Sequence, residues 1–310
     1  MTSVDGPGCG VMLSTFDSLS AGIPPVARSA ARAEALGLDS VWVGDHMFFH
    51  RPNIEALVAL SAAAGATSRI GLGTGVLLPA LRDPVVLAKQ LTSLHVVSGG
   101  RLLLGVGVGG EFPAEWEAVG IDPAERGART DEVVDLVLAA SSGEPVNHAS
   151  PHYKVRMPAM LPVLEQPPPV WVGGRADAAL RRAVRIGRGW LTVWTSARRM
   201  KEAREQLEAM RAEAGRAEPV RPGLFVFVSF GNTESAVRDQ AAAFVQGHYN
   251  LPFSFMERYV VGGSVAAVAE SLAPFRDLGV EDFVISPMAA DPSSFYEQAC
   301  AVYDLLGVGA

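Results

Sequence analysis

Hydrophobic and polar positions follow one another along this chain in two distinct rhythms. Short unbroken runs rich in Val, Leu, Ile and aromatic residues occur at 10–16, 40–44, 70–77, 102–106, 169–172, 190–193, 223–229 and 282–286. Between them lie longer Ala-rich stretches whose apolar residues recur every three or four positions, at 23–36, 54–67, 84–97, 126–140, 176–186, 197–214, 233–246, 265–278 and 293–306. A continuous apolar run predicts a strand buried on both faces, and the three-to-four spacing predicts an amphipathic helix. Pro84 stands where a first helical turn needs no amide, while Gly37, Gly187 and Gly279 stand where helices should end. Strand and helix alternating eight times predict an α/β fold: a closed (β/α)8 TIM barrel, with residues 1–310 forming one domain.

Two stretches interrupt the rhythm. Residues 143–168 carry Pro145, Pro151, Pro158, Pro162, Pro167 and Pro168, too many for a helix or a central strand. Residues 247–263 are apolar and aromatic without a clear period. Long apolar insertions in a barrel predict lids over its C-terminal mouth.

Composition narrows the function classes. The chain is 49% hydrophobic and 19% charged, enough for a large core, yet has no charge-free apolar stretch long enough for a membrane span. Met1-Thr2-Ser3-Val4-Asp5-Gly6-Pro7 lacks a basic stretch followed by an apolar one, so no secretory leader is expected and the protein reads as cytoplasmic. Cys9 and Cys300 have no motif partners, in keeping with a reducing compartment. A net charge of -7 argues against a nucleic-acid partner. The local basic cluster of Arg181, Arg182, Arg185 and Arg188 reads as a solvated helix face.

In a barrel the chemistry gathers where strands end. The end of the second run, Gly44-Asp45-His46-Met47-Phe48-Phe49, joins a carboxylate to an imidazole and two aromatic rings. Asp45 and His46 are either an acid–base pair or a backbone cap beside a packed ring, whereas Phe48, Phe49 and Trp194 are candidates for an apolar substrate pocket. Gly105-Val106-Gly107-Val108-Gly109-Gly110-Glu111 ends the fourth run in bare backbone. Although it fits G-x-G-x-x-G, it is not read as a dinucleotide fingerprint, because no strand with a terminal acid follows about 20 residues on. Glu111 is either a site acid or a helix N-terminal charge, and Glu115 reads as a cap. Gly173-Gly174-Arg175 places free amides and a guanidinium at a helix start, either an anion site or a tight turn. His50 and His152 fall in mouth loops; His95, His148 and His248 have no partner pattern, and no metal-ligand spacing is present.

Taken together, Gly44-Asp45-His46, Gly73-Thr74-Gly75-Val76, Ser98-Gly99-Gly100-Arg101, Gly105-Val106-Gly107 and Pro168-Pro169-Val170-Trp171-Val172-Gly173-Gly174 resemble the bacterial luciferase-like family of flavin- or deazaflavin-dependent oxidoreductases. The resemblance implies a redox ring near Thr74, Gly75 and Val76, where family members often hold a non-prolyl cis peptide. It implies phosphate contacts at Gly107, Gly109, Gly110, Gly173 and Gly174, and assigns His46 as base or transition-state stabiliser with Glu111 as its acid partner, beside the catalytic candidate Asp45 already read from the strand end. The motifs are most similar to the branch that uses coenzyme F420 for hydride transfer, which includes sugar-phosphate dehydrogenases. The alternatives are an FMN-dependent monooxygenase fed by a separate flavin reductase and a non-catalytic flavin-binding protein. The resemblance further implies a homodimer, a small-molecule substrate and, as an occasional partner, a flavin or F420 reductase.

Overall fold

A computed structural model describes residues 5–16, 25–288 and 294–308. In chain order the elements are β1 (Cys9–Met12), α1 (Val26–Ala35), β2 (Ser40–Val43), α2 (Ala56–Ala66), β3 (Gly71–Thr74), α3 (Pro84–Val97), β4 (Leu102–Val106), α4 (Pro113–Ala118), α5 (Arg126–Ser141), β5 (Val146–Ala149), β6 (Lys154–Met157), β7 (Val170–Gly173), α6 (Asp177–Ile186), β8 (Gly189–Thr192), α7 (Ala197–Glu213), β9 (Arg221–Phe230), α8 (Glu234–Tyr249), β10 (Val261–Gly263), α9 (Val265–Asp277), β11 (Asp282–Pro287) and α10 (Phe295–Leu306). The expected first residues of two helices, Ile23 and Ser293, lie outside the described residues, as do Met1 to Val4.

The strands β1, β2, β3, β4, β7, β8, β9 and β11 pair in parallel in that order, and β11 pairs back onto β1, closing the predicted eight-stranded (β/α)8 barrel. Each coincides with one of the apolar runs, because a strand inside a barrel is covered on both faces. Every residue of β1, β2, β3, β4, β7 and β8 is buried. The barrel interior is filled by Met12, Trp42, Leu103, Trp171, Leu191 and Val284. Two indoles that large fit only against bare backbone: a Cβ on Gly73 would lie 2.3 Å from the Trp42 ring, and one on Gly189 would lie 2.2 Å from that of Trp171.

Three elements depart from expectation. Residues 143–168 contain an antiparallel hairpin of β5 and β6. Because α5 ends at the pole opposite the mouth, this hairpin lies along the outer helices: His148 meets Glu132 on α5, Lys89 on α3 donates to the Leu161 carbonyl, and Thr92 contacts Met160. The helix α8 runs on to Tyr249, so His248 and Tyr249 belong to its last turn instead of to the following loop. The short β10 continues the β8 edge of β9 past the point where β8 ends. The basic cluster is also not simply solvated: Arg182, 6% exposed, is bidentate to Asp131, and Arg185 bridges Asp131 and Asp135, tying α6 to α5. Among the described residues no helix is long and apolar enough to cross a membrane.

Candidate functional site

The C-terminal ends of the barrel strands surround a cavity of about 530 Å³. One wall is backbone. The peptide bond between Gly75 and Val76, just past β3, is cis. The Val76 side chain rests on the neighbouring strand ends: a Cβ on Gly107 would sit 2.4 Å from Val76 Cγ2, and one on Gly173 2.9 Å from Val76 Cγ1. The wall is stitched below by Thr74, which is fully buried and donates from Oγ1 to the Gly105 carbonyl at 2.7 Å. A Cβ on Gly105 would lie 1.9 Å from the Thr74 carbonyl oxygen, so glycine is obligatory there.

The expected phosphate amides are not equivalent. Gly107 donates its N–H to the Leu77 carbonyl at 2.9 Å, which commits it to the sheet and removes it as an anion donor. Among the described residues, the amides of Gly109, Gly110 and Gly174 meet no acceptor, and all three have positive φ (56°, 128° and 119°). Gly110 stands back from the cavity beside the guanidinium of Arg126, whose buried Nε finds no partner among the described residues. Arg175 reaches the cavity edge and donates to the Trp194 carbonyl at 3.0 Å.

At the end of β2 the two candidates separate. Asp45 is wholly buried; its Oδ1 and Oδ2 each accept from Arg82 at 2.7 Å, and Oδ2 also accepts from the Leu78 amide at 2.8 Å. Arg82 in turn donates to Glu55 at 2.7 Å. Asp45 thereby clamps the β2 and β3 loops together while also lining the cavity, its carboxylate turned to Arg82 and the Leu78 amide. His46 lines the cavity with its ring stacked on Phe49, centroids 4.1 Å apart. Its Nδ1 lies 3.0 Å from Oε2 of Glu115, a side chain with no solvent exposure. A carboxylate only accepts, so Nδ1 carries the proton and Nε2 keeps its lone pair in the neutral ring. The same carboxylate accepts the Met47 amide at 2.5 Å and the Phe48 amide at 3.2 Å, which fixes the whole turn.

Glu115 was legible only as a cap, since its partner lies 69 residues away. Glu111 does line the cavity and is exposed to solvent. Phe49 and Trp194 line it too, whereas Phe48 is 53% exposed and points elsewhere. His50 and His248 join them, while His148 and His152 pair with Glu132 and Glu125 beside the hairpin. Burial, aided by repulsion from His46, pushes His248 down to about 3, and burial raises the Tyr249 phenol well above its ordinary value. None of residues 143–168 lines the cavity; from the second insertion His248, Tyr249, Leu251 and Met256 do. No cluster of His, Cys, Asp or Glu among the described residues has the geometry to hold a metal ion.

A parallel eight-stranded barrel with a glycine-walled mouth and a carboxylate-held histidine defines the class of scaffold. The model of the luciferase-like monooxygenase family matches residues 10–269, and the chain belongs to that family. An F420-dependent glucose-6-phosphate dehydrogenase of Kineococcus radiotolerans is 36% identical over 176 residues, 54% of this chain and 51% of that protein. The chain spans about half the length of the curated relatives it matches, the first of them over 58%. Among solved structures, an F420-dependent secondary alcohol dehydrogenase with an F420-acetone adduct superposes with a TM-score of 0.84 at 19% identity, covering 96% of this chain and 98% of that one. The oxygenating constituent of 3,6-diketocamphane monooxygenase of Pseudomonas putida, in complex with FMN, gives 0.74 at 18% identity, covering 94% and 95%. Likeness at these identities concerns the fold.

Proposed function

We propose that this protein is an oxidoreductase that uses coenzyme F420 for hydride transfer to or from a small organic substrate. The observation that carries the reading is the pairing of His46 with buried Glu115 at the rim of a glycine-walled cavity. The residues present fit such a cofactor: Gly75, Val76, Gly107, Gly109, Gly173 and Gly174 line one side of the cavity, and the absence of side chains on Gly107 and Gly173 lets Val76 lie back against the strand ends. Val76 would back the ring, while the amides of Gly109 and Gly174, with Arg175, would hold its phosphate.

When bound, the deazaflavin supplies a two-electron carrier that gives or takes hydride. His46 does the proton work: Nε2 accepts a hydroxyl proton in oxidation and returns one in reduction, while Glu115 stabilises the imidazolium so formed. Glu111 stands at the same rim as the second acid–base group. Phe49 holds the His46 ring from its face and excludes water from it. The FMN-dependent monooxygenase reading is favoured by a different observation, the rings of Trp194, Phe225 and Phe227 that line the cavity and would keep water from a bound flavin. Binding of purified protein to F420 and to FMN, followed by turnover of His46→Ala, tests the proposal: F420 retained with turnover lost supports it, and tight FMN binding without F420 binding rejects it.

A further inference from the structure

We infer that the half of the cavity facing the glycine wall is built for an uncharged organic molecule bearing an apolar ring, and that it discriminates against phosphorylated sugars. This rests on the redox reading above, which assigns the glycine wall to the cofactor. The order of strands around the barrel sets the geometry. The glycine wall is formed by the adjacent ends of β3, β4 and β7, so β9, β11 and β1 stand across the mouth from it.

Those opposite ends contribute Phe225 and Phe227 from β9, Met288 from just past β11, and Phe16 from the loop after β1. Phe227 is stacked by Trp194, centroids 4.6 Å apart and planes 14° from parallel, and meets Phe225 at 4.9 Å. Such a surface rewards flat or cyclic apolar contact. Two of the polar groups beside it are held uncharged by burial, the His248 ring deprotonated and the Tyr249 phenol protonated. They suit a hydroxyl or a carbonyl.

A phosphate dianion brought into this space would need cations to replace its water. Among the described residues two arginines reach the cavity: Arg175 stands beside the glycine wall, where the redox reading gives it to the cofactor, and Arg51, whose Nε donates to the Gly247 carbonyl at 2.7 Å, is the single guanidinium left for the facing half. The lysines of the chain, Lys89, Lys154 and Lys201, lie outside it. The residues not described, 1–4, 17–24, 289–293 and 309–310, include no Lys, Arg or His, so the other basic side chains of the rim are His46, whose Nδ1 is held by Glu115, His50 and His248. Glu111 adds a carboxylate that repels an anion.

Calorimetric titration with cyclohexanol and with glucose 6-phosphate tests this. Cofactor loading is read first, from the absorbance of gel-filtered protein mixed with F420 or FMN. Retention of neither contradicts the redox reading, and the same titrations on the protein alone then decide the cavity's preference. The expected result is that cyclohexanol binds with a negative heat-capacity change and little salt dependence, that Phe227→Ala weakens it about tenfold, and that glucose 6-phosphate gives no saturable heat. Glucose 6-phosphate binding more tightly than cyclohexanol, or no saturable heat from cyclohexanol to wild-type protein, overturns the inference.

Discussion

The imidazole of His46 and the carboxylate of Glu115 stand 3.0 Å apart, on a histidine at the cavity rim and a glutamate shut off from solvent. Glu115 is a positioning residue, reaching the chemistry only through the ring it orients. Replacing His46 by Ala is expected to lower kcat by about 10²–10⁴ while leaving the cofactor Kd unchanged. Glu115→Gln, which keeps an acceptor for the Met47 and Phe48 amides, is expected to lower kcat with little change in KM, as steady-state kinetics will show. Glu115→Ala orphans both amides and is expected to cost at least ~2 kcal/mol in urea denaturation as well.

Asp45 and Arg82 form a buried bidentate pair with side-chain exposures of 0% and 9%. Removing Arg82 strands the Asp45 carboxylate in the interior, and removing Asp45 leaves the buried guanidinium with Glu55 alone. Asp45→Ala and Arg82→Met are each expected to destabilise the fold by about 3–5 kcal/mol, measured by chemical denaturation, and the double variant is expected to be less damaging than the sum of the two. A variant Asp45→Ala of full stability that had lost only turnover would place Asp45 in the catalytic set.

Val76 and Gly173 share one small volume, since a Cβ on the glycine would lie 2.9 Å from Val76 Cγ1. Gly173→Ala should push Val76 toward the cavity and weaken cofactor binding about tenfold, a loss of ~1.4 kcal/mol. Adding Val76→Ala should recover most of that loss. Fluorescence titration of the cofactor across this double-mutant cycle reads the coupling directly.

His248 makes stability depend on pH. Its folded value is lowered from 6.5 to about 3, so the unfolded chain takes up a proton more readily than the folded one. The contribution is therefore complete above pH 6.5 and lost progressively as pH falls toward 3. Urea midpoints should drop through that window, and His248→Gln should flatten the drop. An equally steep decline in the variant would place the acid sensitivity elsewhere.

Much of the barrel was legible because each strand is covered on both faces and so writes itself as an unbroken apolar run. The hairpin of β5 and β6 was not, since its residues alternate over only four positions on each strand and prolines flank them. At the site, local patterns found His46 and the bare glycines, which need no distant partner to be recognised. Glu115, Arg82, His248 and Tyr249 escaped because their meaning comes from closure: each meets a group on another strand end. Asp45 shows the converse, a suggestive neighbour of His46 that barrel closure delivers to Arg82. Gly107 shows the same, its amide spent on Leu77.

The proposed function requires the glycine wall to seat a deazaflavin against His46. Equilibrium titration of the purified protein with coenzyme F420 and with FMN under identical conditions, followed by tryptophan fluorescence, tests it most directly. Saturable F420 binding that Gly173→Ala weakens and His46→Ala leaves intact is the expected result; tight FMN binding with no measurable F420 binding would overturn the deazaflavin assignment.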